Sequence, residues 1–280
     1  MLCAVRSFGR RLASSAAASP STKNASAGSA LSKRRKFYKE VGVVSEQENG
    51  VPLYKVTLDG RVLKTQGGAP LKVQSEPLAL AIAEEWSAQD EFLEIGLMRL
   101  SGLAMTSTDN PFHDTRESIT AKILEYLATD TVLFYDPDNE RLLEAQHQHW
   151  DPVIRHANSD LGTNIRPVAD LFTFEAVSKE DTRKVEAWLM SYNLWALTGM
   201  KYAVESSKSV LIPHGIIRHR LSAEEAVHLA LLEQRVQAEQ WGEVEWAHGL
   251  EEQELTTRFS AAALFVYLNS NTMTKKEAAA

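Results

Sequence analysis

Thiol chemistry is nearly absent from the sequence. The only cysteine among its 280 residues is Cys3. If the first residues are removed as a leader, the remaining chain has no disulfide, no cysteine nucleophile and no thiolate ligand for zinc or iron–sulfur clusters. The sequence also lacks an apolar run of about 18–20 residues, the length that spans a bilayer. Its longest apolar run, 261–268, is more typical of a buried helix, so we expect no membrane insertion.

The local signatures of catalysis and nucleotide binding are also missing. No GxxxxGK[ST] loop, no GxGxxG turn after a strand and no GxSxG elbow occurs. His147 and His149 share one predicted helix with His156, but the first two point about 200° apart, and the last two are separated by two turns. We therefore predict no metal site and no cofactor, and we interpret His214, which has no carboxylate nearby in the sequence, as a surface or capping residue. An acid/base site assembled from distant segments stays open as an alternative.

Basic and acidic residues are distributed unevenly. Residues 1–39 contain nine Lys and Arg and no acid, whereas the rest of the chain has 21 Lys and Arg against 37 Asp and Glu. A basic leader without acids on an acidic body is typical of an organelle transit peptide, although a basic tail that is retained would look the same. The acidic body repels phosphate backbones, so we expect no nucleic-acid partner.

The hydrophobic periodicity changes along the chain from strand to helix. Residues 37–73 alternate in the manner of strands, and Asp59-Gly60 between two β-favouring runs predicts a hairpin. Glu76-Pro77 then begins a helix, because proline is tolerated in a first helical turn. Short helices follow over 98–108 and 114–128, and 131–135 is interpreted as a strand that returns to the sheet. The remaining helices are predicted over 140–158, 179–197, 222–240 and 251–269.

Strands therefore come first and helices afterwards. This order predicts an α+β fold: a small N-terminal antiparallel β-sheet with helices, followed by a C-terminal all-α helical bundle. We divide the chain into four parts: a transit peptide or disordered leader at 1–36, an α+β domain at 37–136, a helical domain at 137–270 and a disordered tail at 271–280.

Glu233 interrupts an apolar stripe. If 222–240 is one helix, with Ser222 and Glu225 forming a capping box, Glu233 lies near the centre of a single arc. A carboxylate in such a place is costly unless it is paired or used. It either forms a buried pair with a Lys or Arg of a neighbouring helix or meets the cation of a partner. The other members of the arc are Ala226, Leu229, Ala230, Val236 and Gln237.

Six segments, in this order and spacing, resemble the ATP synthase mitochondrial F1 complex assembly factor 2 family: KRRKFYKEVGV, VTLDGRVLKT, LALAIAEEWSAQ, HWDPVI, SYNLWALTG and QWGEVEWAHGLEEQEL. The resemblance implies a matrix chaperone that binds the unassembled F1 α subunit over the surface that β later occupies. It implies that Glu233, in LLEQRVQ, is the functional glutamate, and that Glu245 and Trp246 of WGEVEW also contact the partner. It makes Trp86 a structural residue.

Two other classes of protein remain open at this point. A matrix enzyme would require a pocket in which distant titratable groups converge. A permanent subunit of an assembly would copurify with the finished complex, whereas an assembly chaperone would be absent from it.

Overall fold

The N-terminal sheet is built on one long hairpin. The computed structural model describes residues 34–169, 176–242 and 245–270, without the side chains of 241 and 245–248. Strands β1 (Val41–Glu48) and β2 (Val51–Leu58) pair antiparallel along their full length. Their turn is Asn49-Gly50, where both residues have positive φ, the conformation that tight hairpins favour. The leader up to residue 33 and the tail at 271–280 lie outside the described residues.

Two shorter strands complete the sheet. β3 (Arg61–Val62) follows the Asp59-Gly60 turn and pairs with β2, which confirms the hairpin predicted there. β4 (Lys72–Val73) pairs with the middle of β2, opposite Tyr54. The Asn49-Gly50 turn was not predicted, although Asn-Gly is also a strong hairpin signal. This turn joins the two longest strands of the sheet.

Two helices cover this sheet. α1 (Glu76–Ser87) begins at Ser75, whose hydroxyl accepts a hydrogen bond from the Leu78 backbone N–H, and has proline in its first turn. α2 (Arg99–Asp109) follows a 3₁₀ turn at Ile95–Leu97. The strands and helices enclose one hydrophobic core, whose fully buried members include Leu71, Leu78, Ala79 and Ile82.

The second core is mainly helical. Its centre is the pair formed by α6 and α10, where Phe259 is fully buried. Gly199 of α6 permits their close approach, because a Cβ there would lie 3.1 Å from the Phe265 ring. The helices of this part are α3 (Arg116–Leu127), α4 (Glu140–Leu161), α5 (Lys179–Met190), α6 (Leu194–Ser207), α7 (Leu211–Ile217), α8 (Ala223–Ala230), α9 (Leu232–Trp241) and α10 (Glu245–Ser270).

Helix α10 connects the two cores. Phe265 packs with the sheet-side residues, whereas Phe259 and Val266 belong to the helical core. The α+β fold class, with a sheet first and helices afterwards, is confirmed. None of the described helices is both long and apolar enough to cross a bilayer. Helix α3 packs on α5 and α6, and the domain division at 136/137 stays a prediction.

Two predicted long helices are each broken into two. The helix predicted over 179–197 ends at Met190 and restarts at Leu194, because the Asn193 side chain accepts the backbone N–H of Ala196 at 2.8 Å and caps the new helix. The one predicted over 222–240 is interrupted at Leu231, which leaves the helical conformation. The capping box of Ser222 and Glu225 at its start is confirmed. Because of the break, the single apolar arc around Glu233 was wrong: Gln237 is exposed.

The returning strand predicted over 131–135 was also wrong. Residues Thr131–Leu133 form a 3₁₀ turn, and Phe134 makes a single parallel bridge to Val168, in the helical part. The sequence also gave no hint of α7, because Pro213 and Gly215 resemble helix breakers. Both residues are buried within that short helix.

Asp130 explains both of these differences. Its fully buried carboxylate accepts the backbone N–H groups of Val210 at 2.6 Å and Leu211 at 3.0 Å, where α7 begins, and that of Val132 in the 3₁₀ turn at 3.2 Å. A carboxylate at a helix N-terminus is favoured by the helix dipole. Burial nevertheless raises the pKa of Asp130 to about 6.

Titration of Asp130 should therefore make stability depend on pH. Between the ordinary value of 3.8 and about 6, the folded carboxyl holds a proton that the unfolded chain has released. The contribution of this group to the free energy of unfolding should thus fall by about 3 kcal/mol as pH rises through that window, and stay level above it. Urea unfolding of the wild type and Asp130→Asn from pH 4 to pH 7 measures this.

The exposed Asp138→Asn is the matched control, because its carboxylate lies at the surface. The stability difference between wild type and Asp130→Asn should narrow as pH rises to 6. If the free energies of unfolding of the wild type and Asp130→Asn changed with pH in parallel, the pKa of Asp130 would be the same in the folded and unfolded chains.

Candidate partner-binding site

Glu233 lies in the first turn of α9, beside the N-terminal half of α4. Its side chain is half-buried, and its Oε1 accepts a hydrogen bond from the Gln146 amide at 3.1 Å. In the part of the chain that the structure describes, no Lys, Arg or His forms an ion pair with it. The structure therefore excludes, among the described residues, the alternative in which Glu233 forms a buried pair with a Lys or Arg. The side chain that bonds to Glu233 is the neutral amide of Gln146.

Gln146 positions this carboxylate. The Gln146 side chain is completely buried. Besides Glu233, its Nε2 donates to the Phe134 carbonyl at 3.3 Å, and its Oε1 accepts the Asp136 backbone N–H at 2.9 Å. One amide thus fixes the segment after the 3₁₀ turn, helix α4 and the start of α9.

The electrostatics leave Glu233 short of positive charge. Burial raises the pKa of Glu233, the hydrogen bond from Gln146 lowers it, and the negative charge of Asp136 raises it again. The position in the first turn of a helix offsets part of the desolvation cost. Such a carboxylate is poised to accept a Lys or Arg from another molecule, because a cation would relieve both burial and repulsion.

Other polar groups frame this site. The Tyr135 hydroxyl donates to Asp151 Oδ1 at 2.7 Å, and Asp151 Oδ2 lies 3.1 Å from His147 Nδ1. Burial, with the carboxylate beside it, raises the pKa of Tyr135 far above its ordinary range, so the phenol remains a hydrogen-bond donor. Farther along α9, the exposed Glu239 pairs with Arg141 of α4.

The other predicted site residues lie elsewhere or outside the description. Glu245 and Trp246 belong to the first turn of α10, but their side chains lie outside the described residues. Trp86 is buried in the sheet-side core, where its indole N–H donates to Ser101 Oγ at 3.1 Å and its carbonyl accepts the Tyr38 hydroxyl at 2.7 Å. It therefore does not belong to the Glu233 site.

Sequence reasoning missed Gln146 and misread His214. Gln146 has a recognisable signal: it shares the apolar face of α4 with Leu142, Trp150 and Val153, one or two turns away. His214 is buried rather than at the surface, and its Nε2 lies 3.0 Å from Asp160. That carboxylate is 54 residues away along the chain, so it was invisible as a partner in the sequence.

Comparison with known proteins finds similarity to one family. Residues 35–158 match the model of the "ATP12 chaperone protein" family. The mitochondrial atp12 protein of Schizosaccharomyces pombe is 29% identical over 245 residues, covering 82% of this chain and 81% of that protein. The mitochondrial ATP12 protein of Saccharomyces cerevisiae is 25% identical over 274 residues, covering 83% and 84%. The crystal structure of Atp12 from Paracoccus denitrificans superposes with a TM-score of 0.73 at 28% identity, covering 84% of this chain and 98% of that one.

The fold and these matches point to the class of assembly chaperones. Residues 35–158 match the ATP12 chaperone family, and the comparisons support a chaperone role in the assembly of the F1 sector of mitochondrial ATP synthase. This confirms the family resemblance found in the sequence. The names of both fungal relatives agree with a mitochondrial protein.

The Gln146 amide should control the ionisation of Glu233. In Gln146→Leu, the hydrogen bond that lowers the pKa of Glu233 is lost, so this pKa should rise further. Carboxyl ¹³C NMR titration, with the Glu233 signal assigned by its loss in Glu233→Gln, measures the change. Gln148→Leu, an exposed position of the same helix, should leave the Glu233 titration unchanged. An unaltered pKa in Gln146→Leu would contradict the hydrogen bond.

Replacement of Trp86 should act on stability. Trp86→Leu removes most of a buried ring and its hydrogen bond to Ser101, and we expect a loss of about 3 kcal/mol in the free energy of unfolding. Urea unfolding followed by circular dichroism measures it. Phe37→Leu is the control, since that aromatic ring is 69% exposed. Similar stabilities for the two variants would count against a structural role for Trp86.

Proposed function

We propose that this ATP12-family chaperone binds the unassembled α subunit of the F1 sector in the mitochondrial matrix. It covers the surface of α that later contacts β, and it has no catalytic activity of its own. The observation that supports a polypeptide partner is the half-buried Glu233 carboxylate, which is held by a neutral amide and lies beside a second negative charge.

A chaperone of this kind meets two opposing requirements. An isolated subunit exposes a contiguous apolar interface, and such surfaces aggregate. The chaperone must therefore cover that interface, yet must release it when β arrives. A desolvated carboxylate that attracts a cation of α supplies specificity, while its own desolvation cost limits the net affinity.

The negative charge of the chain beyond residue 39 should favour association with the α subunit. Beyond residue 39 the chain carries 21 Lys and Arg against 37 Asp and Glu. An acidic surface steers a partner with basic interface groups and accelerates association, an effect that weakens as salt is added. Capture of α should accordingly slow at high ionic strength.

Two variants test the role of Glu233. Glu233→Gln keeps the hydrogen bond from Gln146 but removes the charge, so capture of free α from matrix extract should fall about tenfold, as is typical when one member of an ion pair is lost. Glu233→Lys should abolish capture, because the new cation repels that of α. Affinity capture with quantified α, in extracts with and without β, measures both effects.

Glu239→Gln is the matched control: it removes a carboxylate from the same helix, but one whose exposed pair with Arg141 contributes little. Wild type and Glu239→Gln should capture α equally, and β should displace it. Undiminished capture by Glu233→Lys would refute the role of Glu233. Copurification of the chain with finished F1 would indicate a permanent subunit, and turnover of a metabolite would indicate an enzyme.

A further inference from the structure

A second concave surface lies on the far half of α4. It is a cleft of about 370 Å³ between α4, α7 and the start of α8, a size that accommodates a bulky side chain and its neighbours. Apolar groups line it, among them Pro152 and Val153 of α4, Leu221 before α8 and Leu229 within it. The Glu233 site does not use these residues.

One of the two carboxylates of this cleft, Asp160, is already occupied by the protein. Asp160 accepts hydrogen bonds from Arg218, at 2.8 Å from its Nε and 2.9 Å from its Nη2, and lies 3.0 Å from His214 Nε2. Glu225 is engaged in the capping box, where its Oε2 accepts the Ser222 backbone N–H at 2.7 Å. Among these acceptors, only Glu225 Oε1 has no hydrogen bond from the described residues.

Several hydrogen-bond donors of the cleft, by contrast, have no acceptor among the described residues. Arg220 is exposed, and in the described ranges its side chain forms no ion pair. The exposed imidazole of His156 likewise has no hydrogen-bond partner there. His228 is held in one tautomer: Arg235 can only donate, at 2.8 Å to Nδ1, so the ring proton lies on Nε2. This occupied Nδ1 also opposes metal binding, and no cluster suited to a metal ion occurs among the described residues.

Helix α4 links the cleft to the Glu233 site. Gln146, which holds Glu233, and Val153, which lines the cleft, lie two turns apart on the same side of α4, about 10 Å along its axis. His149 lies between them, with its ring 5.0 Å from that of His228. The residues of α4 that serve the two places are therefore about two helical turns apart, within the span of one polypeptide partner.

We propose that this cleft is the second contact of the chaperone with its client: it receives a bulky apolar side chain next to a carboxylate of the α subunit. The apolar walls take the side chain, and Arg220 and His156 at the rim pair with the acid, since charge complementarity favours an anion where donors without partners predominate. This rests on the proposed function. The client thus presents a cation to Glu233 and an apolar–acidic pair to the cleft.

Two matched pairs of variants test the cleft by affinity capture of free α. Ser159→Trp fills the cleft from an exposed position, and Gln148→Trp places the same ring on α4 outside it. Arg220→Glu reverses the free rim charge, and Arg155→Glu reverses an exposed arginine of α4 that does not line the cleft. We expect Ser159→Trp and Arg220→Glu each to lower the affinity for α about tenfold, and each control to change it less than twofold. Circular dichroism and urea unfolding confirm that all four variants fold.

The outcomes separate this inference from the proposed function. If the wild type does not capture α, the proposed function fails. If it does, and all four variants capture α equally, the cleft is not a client contact. A third arm measures direct binding of hexanoate, an apolar carboxylic acid: binding that Arg220→Glu abolishes, without any effect of the variants on α, would make the cleft a small-molecule site and overturn the proposal.

Discussion

One buried amide organises the part of the molecule that carries the candidate site. Gln146 is completely inaccessible to solvent, yet its side chain on α4 makes three hydrogen bonds to groups on two other segments. A buried polar group is tolerated only when its partners are satisfied. Helix α4, the segment after the 3₁₀ turn and the start of α9 must therefore keep one arrangement. Glu233 is held at the surface by that requirement.

Three buried or half-buried carboxylates show why Glu233 differs from its neighbours. Asp130 accepts three backbone N–H groups and holds α7 in place. Glu85 accepts the backbone N–H groups of Leu100 and Ser101 and the Ser101 hydroxyl, so it caps α2. Both are structural, because the fold itself satisfies them. Glu233 receives one hydrogen bond from a neutral amide, and the described fold supplies no cation for it, which is why we propose it as the contact for a partner.

The sequence predicted what depends on local pattern. The hairpin at Asp59-Gly60, the first helix and the capping box at Ser222 follow from turn and capping chemistry, which acts over a few residues. The break at Leu231 and helix α7 do not follow from local chemistry. Helix α7, for example, is capped by Asp130, which lies 80 residues away along the chain. The candidate site divides in the same way. Glu233 stands out on a helical wheel, whereas Gln146 as its partner requires a contact across 87 residues.

The cleft and Glu233 are complementary in chemistry, and this suits reversible binding. One place offers a carboxylate that lacks a cation, and the other offers donors that lack an anion, with α4 contributing to both. A client that presents only one of the two groups gains one contact and must still lose its freedom of motion, so its affinity is low. A client that presents both gains the second contact without a further loss of that freedom. Discrimination then comes from the spacing along α4, and neither contact alone needs to be strong. Release becomes stepwise: once a competing subunit has displaced one contact, the client is held only by the other, and that single contact is weak.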